Sequence, residues 1–251
     1  MLRRAVELGV NHIDTAQYYG PDVANELIHD ALHPYPEDLL LVSKVGGRRD
    51  AQGAWLPAQT PAELRSGVED NLRTLDVEQL GAVNLRRIDE ELPVGTRPVP
   101  LEDQLAEMVA LREEGKIAGV GISSATLDEV DTAIEDAGIV CVQNPFSLLD
   151  RHDAEVLERC REAGVAYVPF FPLGSAFPHM PKVTGDDTVR AVAERVGATP
   201  AQVGLAWLLA HEYAILLIPG TSSLGHLEQN VAVADLTLSA DDLAELDGAG
   251  G

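Results

Sequence analysis

Short apolar runs alternate with longer amphipathic segments along this whole sequence, and no other feature constrains the fold as strongly. The runs are "NHIDTA" (11–16), "LLLVSKV" (39–45), "GAVNLRR" (81–87), "AGVGIS" (118–123), "IVCVQNPF" (139–146), "VAYVPFFP" (165–172) and "AILLIPG" (214–220). Most are continuous in Val, Ile and Leu, the pattern of parallel strands buried on both faces. Helical periodicity fills the intervals at 22–33, 61–75, 102–115, 125–136, 151–163, 186–196 and 200–211, and two further helices over 224–234 and 239–248 close the chain. Thr60, Pro61 and Glu63 give a cap, a first-turn proline and a capping-box partner, and Thr199-Pro200 opens a helix in the same way. Gly115 stops another.

Such βα alternation, with no Pro/Gly/Ser linker, predicts one α/β domain over 1–251 with parallel strands. A closed (β/α)8 TIM barrel needs eight strands and seven are read. "LRRAVELG" reads as a helix ending at Gly9, with nothing before Met1 to cap it. The expectation is therefore a barrel that opens inside its first helix and lacks the strand before it. An open doubly wound sheet is the alternative.

The 18 Lys and Arg stand against 41 Asp and Glu, a net charge of −23. That surface repels nucleic acid and anionic membranes, so neither is expected as a partner. No secretory leader or membrane span is read, which predicts a cytoplasmic protein. Cys141 and Cys160 form no disulfide framework and suit buried positions. Only three of the 18 basic residues are lysines, so Lys44 stands against a strong compositional drift.

Asp14 ends the first strand and Tyr19 lies five residues on, in the next loop; Lys44 ends the second strand, and Asn84 lies near the end of the third. In a parallel barrel these carboxyl ends converge. An ammonium beside a phenol favours the phenolate, and a carboxylate holds the ammonium charged and in place. The trio is thus suited to giving a proton to a carbonyl oxygen. Taken singly, each residue has a plainer role: Tyr19 a loop aromatic, Lys44 an ion pair or a Schiff-base nucleophile, Asp14 a turn cap.

At these residues the chain resembles the aldo-keto reductases. "DTAQYYG" matches their Asp-Thr-Ala-x-x-Tyr-Gly signature and "LVSKVG" their lysine strand, and the likeness runs along nearly the whole chain. The resemblance implies that Tyr19 is the general acid, Lys44 its modulator and Asp14 the lysine's partner. It implies that Ser123, Ser124 and Gln143 bind the nicotinamide carboxamide, and that Phe170, followed by Leu173, stacks on the ring. It assigns "IPGTSSLGHLEQN" (218–230), with Gly220, Thr221, Ser222, His226, Gln229 and Asn230, to the adenosine-phosphate site. No G-x-G-x-x-G follows a strand, as expected of a family that binds its dinucleotide without a Rossmann fold. The implied reaction is NADPH-dependent reduction of a small aldehyde or ketone, with no metal. A non-catalytic nicotinamide-binding or partner-binding protein of the same fold is the rival.

Three departures from the family pattern bear on this. Asn84 stands where the family has its catalytic His; Asn can donate to a carbonyl oxygen but cannot share a proton. The "VNLR" strand is similar to a bacterial pyridoxal-reductase-like subgroup, in which Arg86, on the same face as Asn84, could meet an anionic or phenolate oxygen; pairing with the acidic surface is its plainer role. Gly220 and His226 replace the usual Lys and Arg, which leaves a 2′-phosphate fewer cations and makes NADH less excluded. The family's capping hairpin and first strand are missing from 1–251, which predicts exposed edges at "NHIDTA" and "AILLIPG", low stability and weak activity for a chain made as written.

Other signals carry less. His29 and His33, four apart on a helix, have the spacing of a zinc pair but no evident third ligand, so a solvated helix face is expected. Trp55 is placed in the loop after the Lys44 strand, where it could line the substrate pocket, and His179 and Met180 in the loop after the Phe170 strand.

Overall fold

The structure is a computed structural model that describes residues 1–88, 98–174, 181–210 and 215–249. It contains two compact units: Gly9–Gln143 with Leu2, and Asn144–Gly251 with Met1 and Arg3–Leu8.

Helix α1 (Leu2–Glu7) opens the chain and belongs, but for Leu2, to the second unit; in the first unit the chain runs β1 (His12–Asp14), α2 (Val23–Leu32), β2 (Leu40–Arg49), β3 (Trp55–Ala58), α3 (Pro61–Leu75), β4 (Ala82–Arg86), α4 (Leu101–Glu113), β5 (Val120–Ser123), α5 (Leu127–Ala137) and β6 (Cys141–Gln143). Strands β1, β2, β4, β5 and β6 pair in parallel in that order. Sequential neighbours without reversal are the barrel's order; a doubly wound sheet would switch direction at its centre. Leu41, Val83, Leu85, Val120, Ile122 and Val142 on one face, and Val42, Lys44, Asn84 and Ser123 on the other, are all at most 5% exposed, so these strands are covered on both faces. Helices α3 and α5 begin with full capping boxes, Thr60 with Glu63 and Thr126 with Glu129.

Polar side chains also hold the outer face of this sheet. The Thr15 hydroxyl donates to Asn25 (3.0 Å), Asn25 donates to Asn71 (2.8 Å) and Thr74 (2.9 Å), and Ser43 donates to Asn71 (2.6 Å). All five residues are buried. This satisfied network ties α2 and α3 to β1 and β2, beside Asp14 and Lys44, and such networks fix one arrangement where apolar packing tolerates several.

The second unit carries α6 (Ala154–Ala163), β7 (Ala166–Tyr167), α7 (Asp187–Val196), α8 (Pro200–Leu209), α9 (Leu224–Val231) and α10 (Ala240–Ala249). Helix α8, capped by Thr199 as expected, is buried from Val203 to Leu208. The Trp207 indole donates to Asp247 at 2.8 Å, and Arg195 pairs with Asp242 at 2.7 Å. Of the expected strand 214–220, the described part contributes a parallel bridge from Ile215 to Tyr167. Its first residue, Ala214, lies outside the described residues, as do His179 and Met180.

Candidate active site

Ladder register builds the site. Asp14 lies level with Val42 and Lys44 with Asn84; Asn84 in turn faces Gly121, and Gly121 faces Cys141. Side chains alternate along a strand, so Asp14, Lys44, Asn84 and Cys141 share one face, joined a row later by Arg86, Ser123 and Gln143.

The Lys44 ammonium donates to Asp14 Oδ1 and to the Thr15 carbonyl (3.0 Å). The other Asp14 oxygen accepts from Gln143 Nε2 at 2.9 Å. Lys44 is 4% exposed. A desolvated pair of this kind persists only if its remaining valences are filled, and here a carbonyl and an amide fill them.

Tyr19 lies 5.2 Å, ring centroid to Nζ, from that ammonium. Its turn is held by its own N–H on Ala16 O (3.0 Å), by Asp22 N–H on Gln17 O (2.8 Å), and by Gln17 Nε2 on Asp22 Oδ1 (2.9 Å). The two adjacent tyrosines have opposite fates. Tyr19 is 47% exposed and Tyr18 only 4%. Burial pushes the Tyr18 phenol far above its usual range, with the neighbouring Tyr19 adding to the rise, and its hydroxyl has no partner among the described residues.

Further buried polar atoms on this face have no partner among the described residues, including Asn84 Nδ2, Ser123 Oγ and Gln143 Oε1. Leaving such a group unpaired costs about 1–3 kcal/mol. A donor, an acceptor and a hydroxyl grouped in this way suit a ligand carrying an amide and a carbonyl. Asn84 is fixed by accepting from Cys141 Sγ at 3.3 Å. A Cβ on Gly121 would come within 2.2 Å of Asn84 Oδ1 and 2.6 Å of Cys141 Sγ, so only glycine fits between them. Ser124 takes a left-handed φ of 56° at the end of β5 and donates its N–H to Gln143 O at 3.1 Å.

Trp55 stands on a strand, which corrects the loop expected from the sequence. Strand β2 continues past Lys44 to Arg49 and folds back antiparallel onto β3, pairing Arg49 with Trp55 and Gly46 with Ala58. Asp50 closes the turn, its Oδ1 accepting from Gln52 and Ala54 N–H at 2.9 and 2.8 Å. Two guanidinium groups lie over the indole, Arg49 at 4.9 Å and Arg86 at 5.3 Å, with Tyr18 edge-on at 4.7 Å. Arg86 Nε is buried without a partner among the described residues.

In the second unit, Phe170 is half-buried and exchanges backbone hydrogen bonds with Asn144 (3.0 Å) and Phe146 (3.2 Å). Leu173 leans on Gly204 of α8, whose Cβ position is 2.9 Å from Leu173 Cδ2. Ser223 caps α9, accepting from His226 N–H, and Thr221 Oγ1 accepts from Ser223 N–H at 3.1 Å. Helix α9 buries none of its residues; Gly220, Ser222, His226 and Gln229 are exposed and Asn230 half-buried. Cys160, pushed up to about 12 by burial, is inert.

Comparison with known proteins follows the same lines. Residues 1–250 match the Aldo/keto reductase family. Pyridoxine 4-dehydrogenase of Escherichia coli (strain K12) is 44% identical over 248 residues, which are 99% of this chain and 85% of that protein. A thermostable aldo-keto reductase, solved with the inhibitor epalrestat, superposes with a TM-score of 0.83 at 29% identity, over 99% of this chain and 85% of that one. The aldo/keto reductase from Klebsiella pneumoniae in complex with NADP and acetate gives 0.82 at 27% identity, over 98% and 82%. With the sequential parallel order of β1 to β6, these superpositions define an α/β fold of the (β/α)8 class.

Proposed function

Because the chain belongs to the aldo/keto reductase family, and is thereby an NAD(P)H-dependent oxidoreductase of small carbonyl compounds, we propose that it reduces an aldehyde or ketone to the alcohol with Tyr19 as proton donor. The observation that carries this reading is the buried Lys44–Asp14 pair, held by Gln143 and the Thr15 carbonyl, with the Tyr19 ring above the ammonium. The nicotinamide, when bound, supplies the hydride. Tyr19 gives its hydroxyl proton to the substrate oxygen as negative charge grows there, and Lys44 stabilises the phenolate left behind. Asn84 Nδ2, without a partner among the described residues, donates to the same oxygen and replaces the family's imidazole as an orienting group.

Ser123, Ser124 and Gln143 are the residues we assign to the nicotinamide carboxamide, in keeping with the unpaired Ser123 Oγ and Gln143 Oε1. Phe170 and Leu173 would flank the ring. The segment from Gly220 through Thr221, Ser222 and His226 to Gln229 and Asn230 would hold the adenosine phosphate by hydroxyls, N–H groups and a helix start. We favour NADPH, with NADH a weaker second.

For the substrate we propose a pyridoxal-like aldehyde. Arg86, on the face of Asn84 and with Nε unpaired, would meet a phenolate oxygen, while Trp55 offers an aromatic wall. The test is turnover with NADPH on pyridoxal and on neutral aromatic aldehydes, in the parent and in Arg86→Met. Pyridoxal should be reduced, and its KM should rise roughly tenfold or more in the variant, while neutral aldehydes change little. Equal losses on both classes would remove Arg86 from substrate recognition, and no turnover on any aldehyde would remove the reductase reading.

A further inference from the structure

Helix α2 begins three residues after the Tyr19–Gly20 turn and ends some distance away, about 15 Å for ten residues at 1.5 Å each. At that far end a second group of side chains converges. His29 lies in the last turn of α2, and His33 is the residue that terminates it. Their rings stack with centroids 4.8 Å apart and planes 22° apart. Asp76, which terminates α3 in a left-handed conformation (φ 52°), brings one carboxylate oxygen to both: Oδ2 is 3.9 Å from His29 Nε2 and 3.6 Å from His33 Nε2. The third partner missing from the sequence reading is thus supplied by the next helix.

These spacings are informative. At 3.6–3.9 Å neither contact is a hydrogen bond. Three ligands at zinc-bond lengths around a tetrahedral ion stand about 3.3 Å apart; the two contacts to Asp76 are within a few tenths of an ångström of that, and with all three ligand atoms within 4.8 Å of one another a swing of the imidazole rings completes the closure. The surroundings orient the ligands. Asp30 Oδ1 lies 3.4 Å from His29 Nδ1, the ring nitrogen turned away from Asp76, where a carboxylate fixes the tautomer that leaves Nε2 to ligate. Tyr35 packs edge-on against His33 at 5.4 Å, and its hydroxyl donates to the carbonyl of Leu75, next to Asp76, at 2.7 Å. That bond ties the chain after α2 to the end of α3, holding the two sides of the group in register. All three side chains are at least a third exposed, so water can complete the coordination shell.

We propose that His29, His33 and Asp76 form a binding site for a divalent transition-metal ion of the zinc class, which staples the end of α2 to the end of α3. Two imidazoles and one carboxylate suit zinc, cobalt or nickel, and are too nitrogen-rich for calcium or magnesium. A net charge of −23 raises the local concentration of any such cation.

The experiment uses the untagged full chain, stripped with a chelator and titrated with Zn2+ by calorimetry, with the Co2+ spectrum as a second readout. The parent should take one Zn2+ per chain at this site, with a rise in melting temperature. His29→Gln, His33→Gln and Asp76→Asn should each weaken binding at least about tenfold, the loss that even outer-sphere changes cause, and abolish the rise in melting temperature. His152→Gln should bind as the parent does, and turnover of carbonyl substrates should be unchanged in all of these variants. Melting of each variant in chelator, at the parent's temperature, confirms that it is folded. A parent that takes up no Zn2+, or a His33→Gln chain that keeps the parent affinity and Co2+ spectrum, overturns the proposal.

Discussion

The row of side chains on β1, β2, β4 and β6 and the segment from Gly220 to Asn230 are both assigned to one reaction, yet they are built in opposite ways. In the first, Lys44, Asn84 and Gln143 are each at most 4% exposed, and the charge on Lys44 is held by the Asp14 carboxylate and the Thr15 carbonyl. In the second no helical residue is buried, and the order comes from Ser223 and Thr221 capping a short helix. The contrast matches what each proposed role would require. Stabilising a charge that appears only as the reaction proceeds requires fixed dipoles in a dry setting. Holding a phosphate that is already charged requires only N–H groups and hydroxyls at a helix start, where water costs little. The first region should therefore be intolerant of change and the second tolerant.

Lys44→Met is the severest way to break that contrast. It leaves the Asp14 carboxylate buried with Gln143 alone, so unfolding free energy in urea should fall by about 3–5 kcal/mol, and turnover should fall by about 10²–10⁴-fold. A loss of less than about 1 kcal/mol would mean that the pair is wetter than its burial implies. His226→Arg sharpens the contrast from the other side. On an exposed helix it should move stability by no more than about 0.5 kcal/mol, while binding of NADPH, measured by fluorescence, should tighten roughly tenfold over NADH. Equal tightening for both cofactors would place the 2′-phosphate elsewhere.

Smaller effects are expected from two histidines that titrate in opposite senses, one in each unit. Burial lowers the pKa of His12, against the pull of Asp14. Its folded value lies below the ordinary 6.5, so the native state binds fewer protons, and this contribution to stability is present above about pH 6.5 and lost as the pH falls through the folded value. His152 is raised by its hydrogen bond to Asp150, so its contribution is complete below about pH 6.5 and lost as the pH rises through the raised value. Urea denaturation between pH 5 and 8 should show the acid-side loss reduced in His12→Gln and the smaller alkaline-side loss reduced in His152→Gln. Half-exposed His152 should give the slighter change, because water screens it.

What could be read from the sequence, and what could not, divides by the range of the interaction. Helix α3 begins at Pro61 and ends at Leu75 as read, because Thr60, Pro61 and Glu63 are local signals satisfied within one turn. The strand order followed from βα alternation, and the spacing of Asp14, Tyr19 and Lys44 from a motif. Trp55 was misplaced because β3 is four residues long, contains Pro57 and shows no alternation of burial. The buried Asn25 and Asn71 gave no sign, since helical asparagines are ordinarily exposed and their partners lie 46 residues apart. The bond from Gln143 to Asp14 spans 129 residues, and the approach of Asp76 to His33 depends on how two helices end. Nor does composition distinguish Tyr18 from Tyr19; the first is buried in tertiary packing that includes Trp55.

The most direct test of the account is single-turnover reduction by Tyr19→Phe, followed beside equilibrium binding of NADPH. Loss of the hydroxyl should slow reduction by about 10²–10⁴-fold while cofactor affinity stays within about twofold of the parent. A Phe variant that still reduces its aldehyde at close to the parent rate would contradict the assignment of the proton to Tyr19, and with it the purpose given to the buried Lys44–Asp14 pair.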